Sequence, residues 1–220
     1  SVALMKVPFK DYDLVISDFE PITLWGAKIA GIPAVGIGNM YSMTSKNFPD
    51  VGRSCKTMKL FTRVMCPAKN KIGMHFQKFD DFIYYPVIRG DLRHAEVSNK
   101  NFTLVYLNSY SDDELIKFCT QFCFAGKKFV IYSKTSNSTY SVNNCVIKPL
   151  NNETFTEDIL SCNGVITAGG FQTISEALYL GKKLFVIPIK KQVEQNANAK
   201  VLERMGIDTA TELNTLAIQS

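Results

Sequence analysis

Gly164-Val-Ile-Thr-Ala-Gly169-Gly170-Phe171-Gln172-Thr173-Ile-Ser-Glu176-Ala-Leu178 is the stretch on which the fold turns. A short apolar run, the mark of a strand buried on both faces, meets two consecutive glycines, and apolar residues at helical spacing follow at once. Strand, glycine turn and helix are the opening of a parallel β-α unit. The same turn is an anion site in physical terms. Two glycines let backbone approach a ligand, and the free N–H groups and positive end of the helix point at a phosphate. Thr173 adds a hydroxyl. Glu176, about one turn further along, presents a carboxylate that can accept from the paired hydroxyls of a ribose.

Outward from this segment the same alternation repeats. Downstream, Lys183 to Ile187 reads as a strand stopped by Pro188, and Gln195 to Met205 as a helix ended by Gly206. Upstream, Phe102–Leu107, Phe129–Tyr132 and Cys145–Ile147 read as strands. Ser111 with Glu114 forms a capping box that opens a helix whose buried stripe is Leu115, Phe118, Cys119 and Phe122. Lys134 to Ser141 reads as a polar loop and Phe155–Leu160 as a short helix. Near the beginning, Leu14–Ser17 is a strand, Pro21 opens a helix with Ile22, Trp25 and Ile29 on one stripe, and Pro33–Ile37 is the next strand. The segment from Asn39 to Asp81 is less regular. Met58, Leu60, Phe61, Val64 and Met65 interleaved with Lys56, Lys59 and Arg63 predict an amphipathic helix with a basic face, suited to packing on a sheet or to resting on a membrane. Ile83–Ile88 reads as a strand leading into a connection. The polar run Ala95–Asn101 is the expected boundary, giving domains 1–95 and 96–220. Strands separated by helices imply parallel sheets, hence an α/β chain of two Rossmann-like domains.

The 220 residues are 46% hydrophobic and 20% charged, with a formal charge of +5. That mild, dispersed basicity suits an anionic small ligand or membrane surface and speaks against nucleic acid as a partner. No apolar run reaches the ~20 residues of a membrane helix, and Ser1–Lys10 lack the apolar core of a signal peptide. The cysteines, Cys55, Cys66, Cys119, Cys123, Cys145 and Cys162, form no C-x-x-C pair. With only His75 and His94 to assist them, they are expected as free thiols of a reducing cytoplasm rather than as metal ligands. Both histidines are expected at the surface, and Lys182–Lys183 as solvated. Lys190–Lys191, after Pro188, are also expected in solvent unless they reach the ligand.

The order Gly170, Thr173, Glu176, Gly181, Pro188, Gln195, Asn198, Ala199 resembles the donor-binding signature of GT-B glycosyltransferases: the UDP-glycosyltransferases and the lipid-linked N-acetylglucosaminyl transferase of peptidoglycan synthesis. Val15-Ile-Ser-Asp18-Phe-Glu-Pro21 with Gly31-Ile-Pro33 is similar to the end of the acceptor domain, above all in an archaeal and bacterial group of predicted glycosyltransferases. The resemblance covers most of 10–50 and 80–210. It implies the GT-B fold with an incomplete N-terminal domain: 1–95 a partial acceptor-side domain, 96–220 the nucleotide-sugar donor domain. It implies sugar transfer from a nucleotide-diphosphate sugar, expected UDP-linked, to an acceptor hydroxyl, the acceptor being lipid-linked or a glycan. The nucleotide sugar is a substrate, so no cofactor and no metal is implied. The location expected is cytoplasmic, with peripheral contact at the inner membrane face.

Residue by residue, the resemblance places Glu176 on the donor ribose and Gly169, Gly170 and Thr173 around the diphosphate, with Phe171 and Gln172 among the donor-binding residues. Pro149 and Leu150 fall where backbone reads the base, Asn108 and Ser109 in a loop that contacts phosphate, and Glu194 and Gln195 on sugar hydroxyls. Asp18 matches the aspartate that orients a catalytic histidine, although capping of the helix that starts near Pro21 is the use its position at a strand end favours. The general base itself is expected before this chain begins. One departure stands out: the signature opens with a phosphate-contacting His where this chain has Ala168, so Arg89 or Lys134 would have to compensate. A non-catalytic nucleotide-sugar-binding fragment and a nucleotide-sugar 2-epimerase of the same fold are the alternatives.

Overall fold

A computed structural model of the chain describes residues 7–49, 53–122 and 125–213, the side chains of 53–55 excepted. Cys123 and the Cys55 side chain, named above, lie outside the described residues. The chain divides into two compact units, 1–87 and 88–220. The polar run Ala95–Asn101 was expected to hold the divide. The units part earlier because Ile88 and Leu92 already pack into the core of the second unit.

Unit 1 is a four-stranded parallel sheet with strands in chain order. After a 3-10 turn at Phe9–Asp11 come β1 (Val15–Asp18), α1 (Pro21–Ala30), β2 (Ala34–Gly38), α2 (Asn39–Ser42), α3 (Arg53–Met65), β3 (Asn70–Met74) and β4 (Ile83–Tyr84). Pro21 sits at the start of α1 as read from sequence, and Gly31 closes it at φ 73°. The buried face is not the expected one. Ile22 and Ile29 are exposed, while Leu24, Gly26 and Ala27 face inward, since Gly26 lets the Phe9 ring lie against the helix. The amphipathic helix expected around 58–65 forms as α3, but Leu60, Phe61, Val64 and Met65 are exposed and it is Thr62 that is buried. β3 has no counterpart in the sequence reading.

Unit 2 carries α4 (Gly90–Arg93), β5 (Thr103–Tyr106), α5 (Asp112–Thr120), β6 (Phe129–Ser133), β7 (Tyr140–Val142), β8 (Cys145–Pro149), α6 (Asn152–Ser161), β9 (Gly164–Thr167), α7 (Phe171–Tyr179), β10 (Lys183–Val186), α8 (Val193–Arg204) and β11 (Asp208–Thr209). The seven strands run β11-β10-β9-β5-β6-β8-β7. All pairs are parallel except β7–β8, a hairpin whose first strand begins within the expected polar loop and which turns at Asn143 with φ 54°. Period-2 alternation sends Leu104, Val130 and Val165 into one core with Ile159 of α6, Ala177 of α7 and Leu180 just past it. Val105, Ile131 and Ile166 enter the other, with Leu115, Phe118 and Cys119 of α5. A sheet covered on both faces explains why its strands read as continuous apolar runs.

Candidate functional site

In the second unit the chain leaves β5 toward β6 on one side and returns through β9 toward β10 on the other. β5 and β9 are neighbours, with Tyr106 paired to Thr167. Their C-terminal ends therefore bracket a topological switch point, the place where open parallel sheets hold ligands. Asn108 and Ser109 follow β5, and Ala168, Gly169 and Gly170 follow β9, so loops distant in sequence meet at one sheet edge. Pro149 and Leu150 belong to the same edge, at the end of β8.

A cavity of about 490 Å³ opens there, lined by Arg89, Tyr106, Leu150, Asn151, Asn152, Phe155, Gln172, Thr173 and Glu176. Its size is that of a small-molecule site. Glu176, only 3% exposed, is its buried acid. Arg89 Nε donates to Glu176 Oε1 at 2.9 Å and Gln172 Nε2 donates to the same oxygen at 2.8 Å. The guanidinium is itself held, through Nη2 to Thr156 Oγ1 at 3.2 Å and through Nη1 to Asp91 at 3.2 Å. One carboxylate oxygen is thus fixed from two sides, which orients the other.

The helix beginning beside this carboxylate has an open N-terminus. Gly170 is the N-cap of α7 and supplies no side chain, and a Cβ added there would meet nothing within 4 Å beyond its chain neighbours. Gly169 is different. A Cβ there would lie 2.6 Å from both Cβ and backbone O of Gln195. The first turn of α8 presses on this loop and holds it: Gln195 Oε1 accepts from the N–H of Gly169 (3.2 Å) and of Ile189 (3.0 Å), and Asn198 Nδ2 donates to Gly169 O at 2.9 Å. Gln195 was assigned to sugar hydroxyls by resemblance. Here its carbonyl oxygen is committed to two backbone amides. Glu194 lies in the same first turn of α8.

Leu150, Gln172, Thr173 and Glu176 are the sequence-derived candidates that line the cavity. Asn108, Ser109, Pro149, Gly169, Gly170, Phe171, Glu194 and Gln195 are not in its lining, though all sit at the same sheet edge or on its helix starts. Asn108 Oδ1 is buried there without a hydrogen-bond partner among the described residues. Tyr106, Asn151, Asn152 and Phe155 were not foreseen as lining. Asn151 had a legible signal, since it follows Pro149-Leu150 and caps α6 by accepting from the N–H of Glu153 and Thr154. Arg89, one of two residues considered for compensating Ala168, is in the cavity; Lys134, the other, is exposed after β6. Lys190 is exposed and pairs with Glu212 at 3.1 Å.

Asp18, in the first unit, ends β1 and is exposed. It does not cap α1. That role falls to Glu20, whose carboxylate accepts from the N–H of Ile22 and Thr23, because Phe19 takes a left-handed turn (φ 46°) that carries the chain past Asp18 before the helix starts. Hydrogen bonding from the Thr23 hydroxyl, more than from the two amides, holds the Glu20 carboxyl below its usual range. Of the expected surface groups, His94 is exposed, but His75 is 1% exposed among the rings of Phe48, Phe76 and Phe79. Lys182 is likewise buried: its ammonium donates to Ser98 O, Leu160 O and Cys162 O at 3.0, 2.8 and 2.7 Å. The carbonyls ending α6 attract the charge that sequence alone assigned to solvent. Cys66, Cys119, Cys145 and Cys162 are free and buried. Among the described residues no helix is long and apolar enough to cross a membrane.

Compared with known families, residues 3–220 match the one described as glycosyl transferase family 1. No curated protein matches. Solved structures with a similar fold include the glycosyltransferase SnogD from Streptomyces nogalater (TM-score 0.55, 15% identity, 94% of this chain and 63% of that one). MurG from Acinetobacter baumannii aligns at TM-score 0.60 and 15% identity over 94% of this chain and 62% of its own. UGT89C1 of Arabidopsis thaliana, in complex with quercetin, aligns at 0.56 and 11% over 99% and 62%. The chain spans less than two thirds of each of these relatives.

Proposed function

The chain belongs to glycosyl transferase family 1, and we propose on that premise that its second unit binds the nucleotide-diphosphate part of a sugar donor for transfer to an acceptor hydroxyl. The observation that carries this is the buried Glu176, oriented by Arg89 and Gln172 in a cavity beside the uncapped start of α7. In this reading Glu176 Oε2 accepts from the ribose hydroxyls, and Leu150, Tyr106 and Phe155 flank the base. The diphosphate meets the N–H groups of Phe171, Gln172 and Thr173. As the bond from the anomeric carbon to the diphosphate oxygen breaks, negative charge grows on the leaving group. The helix dipole and fixed amides stabilise it without reorganising, and without calling on a metal. Arg89 supplies the positive charge that Ala168 does not. UDP is the proposed leaving group. Asp18 is the proposed carboxylate on the acceptor side, serving a general base not assigned among the described residues. Exposed Leu60, Phe61 and Val64 interleaved with Lys56 and Arg63 on α3 support peripheral contact with an anionic membrane carrying a lipid-linked acceptor.

The test is calorimetric titration with UDP, dTDP and GDP, comparing the chain with Glu176→Ala and Glu176→Gln. One diphosphate binds selectively, and either variant weakens it at least about tenfold, the value of one hydrogen bond to a charged group. Affinity unchanged by both substitutions, or no binding of any diphosphate, removes the assignment.

A further inference from the structure

The first unit has a cavity of its own, about 630 Å³, at the N-terminal ends of β2 and β3. This is the strand edge opposite the one where Asp18 and Gly38 end β1 and β2. Lys28, Arg63, Lys69 and Lys71 line it, and no carboxylate does among the described residues. Leu24, Ile32, Pro33 and Ala34 form an apolar wall.

Cations at helix ends usually answer the carbonyls there, and Lys28 and Arg63 are in the last turns of α1 and α3. Several of those carbonyls already have partners. Ile32 N–H donates to Ala27 O and Gly31 N–H to Lys28 O. On α3, Thr62 O takes the N–H of Cys66, and Val64 O takes the indole of Trp25 at 3.1 Å. Cys66 O, just past the helix, takes the Tyr41 hydroxyl and the N–H of Ala68. Lys28 also lies over the Trp25 ring at 4.6 Å and Lys71 over the Phe82 ring at 4.7 Å, but no anionic side chain among the described lining residues balances the positive charge. At Lys71, burial first and then the charge of Arg63 pull the pKa down, while Asp80 pushes it back. Asp80 is engaged by the Ser45 hydroxyl at 2.8 Å. Lys71 Nζ donates to Thr44 Oγ1 at 2.7 Å, which holds the ammonium at the cavity wall. Finally, Thr62 lines the cavity at 1% exposure, and its hydroxyl has no partner among the described residues. A buried hydroxyl without a partner is costly unless something completes it.

We propose that this cavity binds a phosphate-bearing ligand, with Lys71 and Arg63 as charge partners, the Thr62 hydroxyl as donor, and the apolar wall receiving the remainder of the molecule. The phosphate can come from a soluble phosphorylated metabolite or from a lipid headgroup. The site is independent of the donor site, whose residues all belong to the second unit.

The experiment follows amide resonances of the isotopically labelled chain during titration with inorganic phosphate, with phosphatidylglycerol vesicles as a second arm. The expected result is saturable shifts at Thr44, Thr62, Lys69 and Lys71, with affinity about tenfold weaker in Lys71→Gln, the value of one charge-assisted hydrogen bond. The melting temperature of that variant stays close to wild type, because relief of the buried charge and of the repulsion from Arg63 offsets the lost bond to Thr44 Oγ1. Vesicle co-sedimentation that falls in Lys71→Gln assigns the lipid source; co-sedimentation untouched by it, alongside the phosphate shifts, assigns the soluble one. Shifts confined to Gly170–Thr173, or equal affinity of the variant and wild type in both arms, overturn the proposal.

Discussion

Replacing Gly169 by alanine tests what the first glycine of the loop is for. The added methyl would stand 2.6 Å from Gln195 Cβ, 2.6 Å from its backbone O and 2.8 Å from its Cα. Carbon atoms in contact sit about 3.5–4.0 Å apart, so the loop and the first turn of α8 must separate by about 1 Å. Two of the three atoms are backbone, and no rotamer change relieves them. The same separation stretches the Gly169 N–H to Gln195 Oε1 bond and the Asn198 Nδ2 to Gly169 O bond. Overpacking costs about 1–3 kcal/mol and each hydrogen bond about 1 kcal/mol, and because one motion accounts for both, the total is about 2–4 kcal/mol. For a chain of this size that lowers the melting temperature by roughly 5–15 °C. Gly170→Ala is the control. Its backbone is at φ −68°, ψ 134° with nothing within 4 Å. The weaker N-cap and the less flexible unfolded chain oppose each other, leaving a change within about 0.5 kcal/mol. Thermal melts with UDP titration then separate two uses of glycine. Gly169→Ala loses stability and ligand together, whereas Gly170→Ala loses only ligand, if a methyl there meets the diphosphate. Wild-type stability in Gly169→Ala would refute the packing argument outright.

Lys182→Met leaves three carbonyls around an apolar tip, and is expected to lower stability by about 2–3 kcal/mol, read as a lower urea midpoint at unchanged slope. Glu20→Ala removes the cap of α1 and costs about 1 kcal/mol at neutral pH. Since the folded Glu20 carboxyl titrates below its usual range, its contribution is complete above the ordinary value of about 4.3 and fades as pH falls through the depressed one. Denaturation curves of variant and wild type should therefore differ at pH 7 and converge in acid. A constant difference across that range would mean that the side chain acts by packing rather than by charge.

Local signals carried most of the second unit. The Ser111–Glu114 capping box forms with both of its bonds, and β9 spans the residues read as a strand. What escaped was set by distant partners. Asn70-Lys-Ile-Gly-Met74 looks polar, yet becomes a strand because β2 and β4 flank it. Tyr140–Val142 reads as loop because an edge strand exposes its side chains, and only the β8 pairing defines it. In α1 the expected stripe was the wrong one, since Phe9, upstream of β1, decides which face is covered. The site divides the same way. Glu176 was legible from its distance to the glycines, but the bond from Arg89 joins residues 87 positions apart and has no local trace.

Positions that carry a resemblance need not all touch a ligand. Thr173 and Glu176 line the cavity, whereas Gly169, Gln195 and Asn198 bind one another. The second group fixes the loop from which α7 starts, and so fixes where its first-turn N–H groups point. Amides held in place before any ligand arrives lose nothing to reorganisation when charge develops opposite them. A spacing of Gln, two residues, then Asn is what places both side chains on one face of α8 near its start, against one glycine. The spacing is therefore as much a constraint on the loop as on the donor, and a substitution at Asn198 is expected to act on donor binding through the position of Gly169.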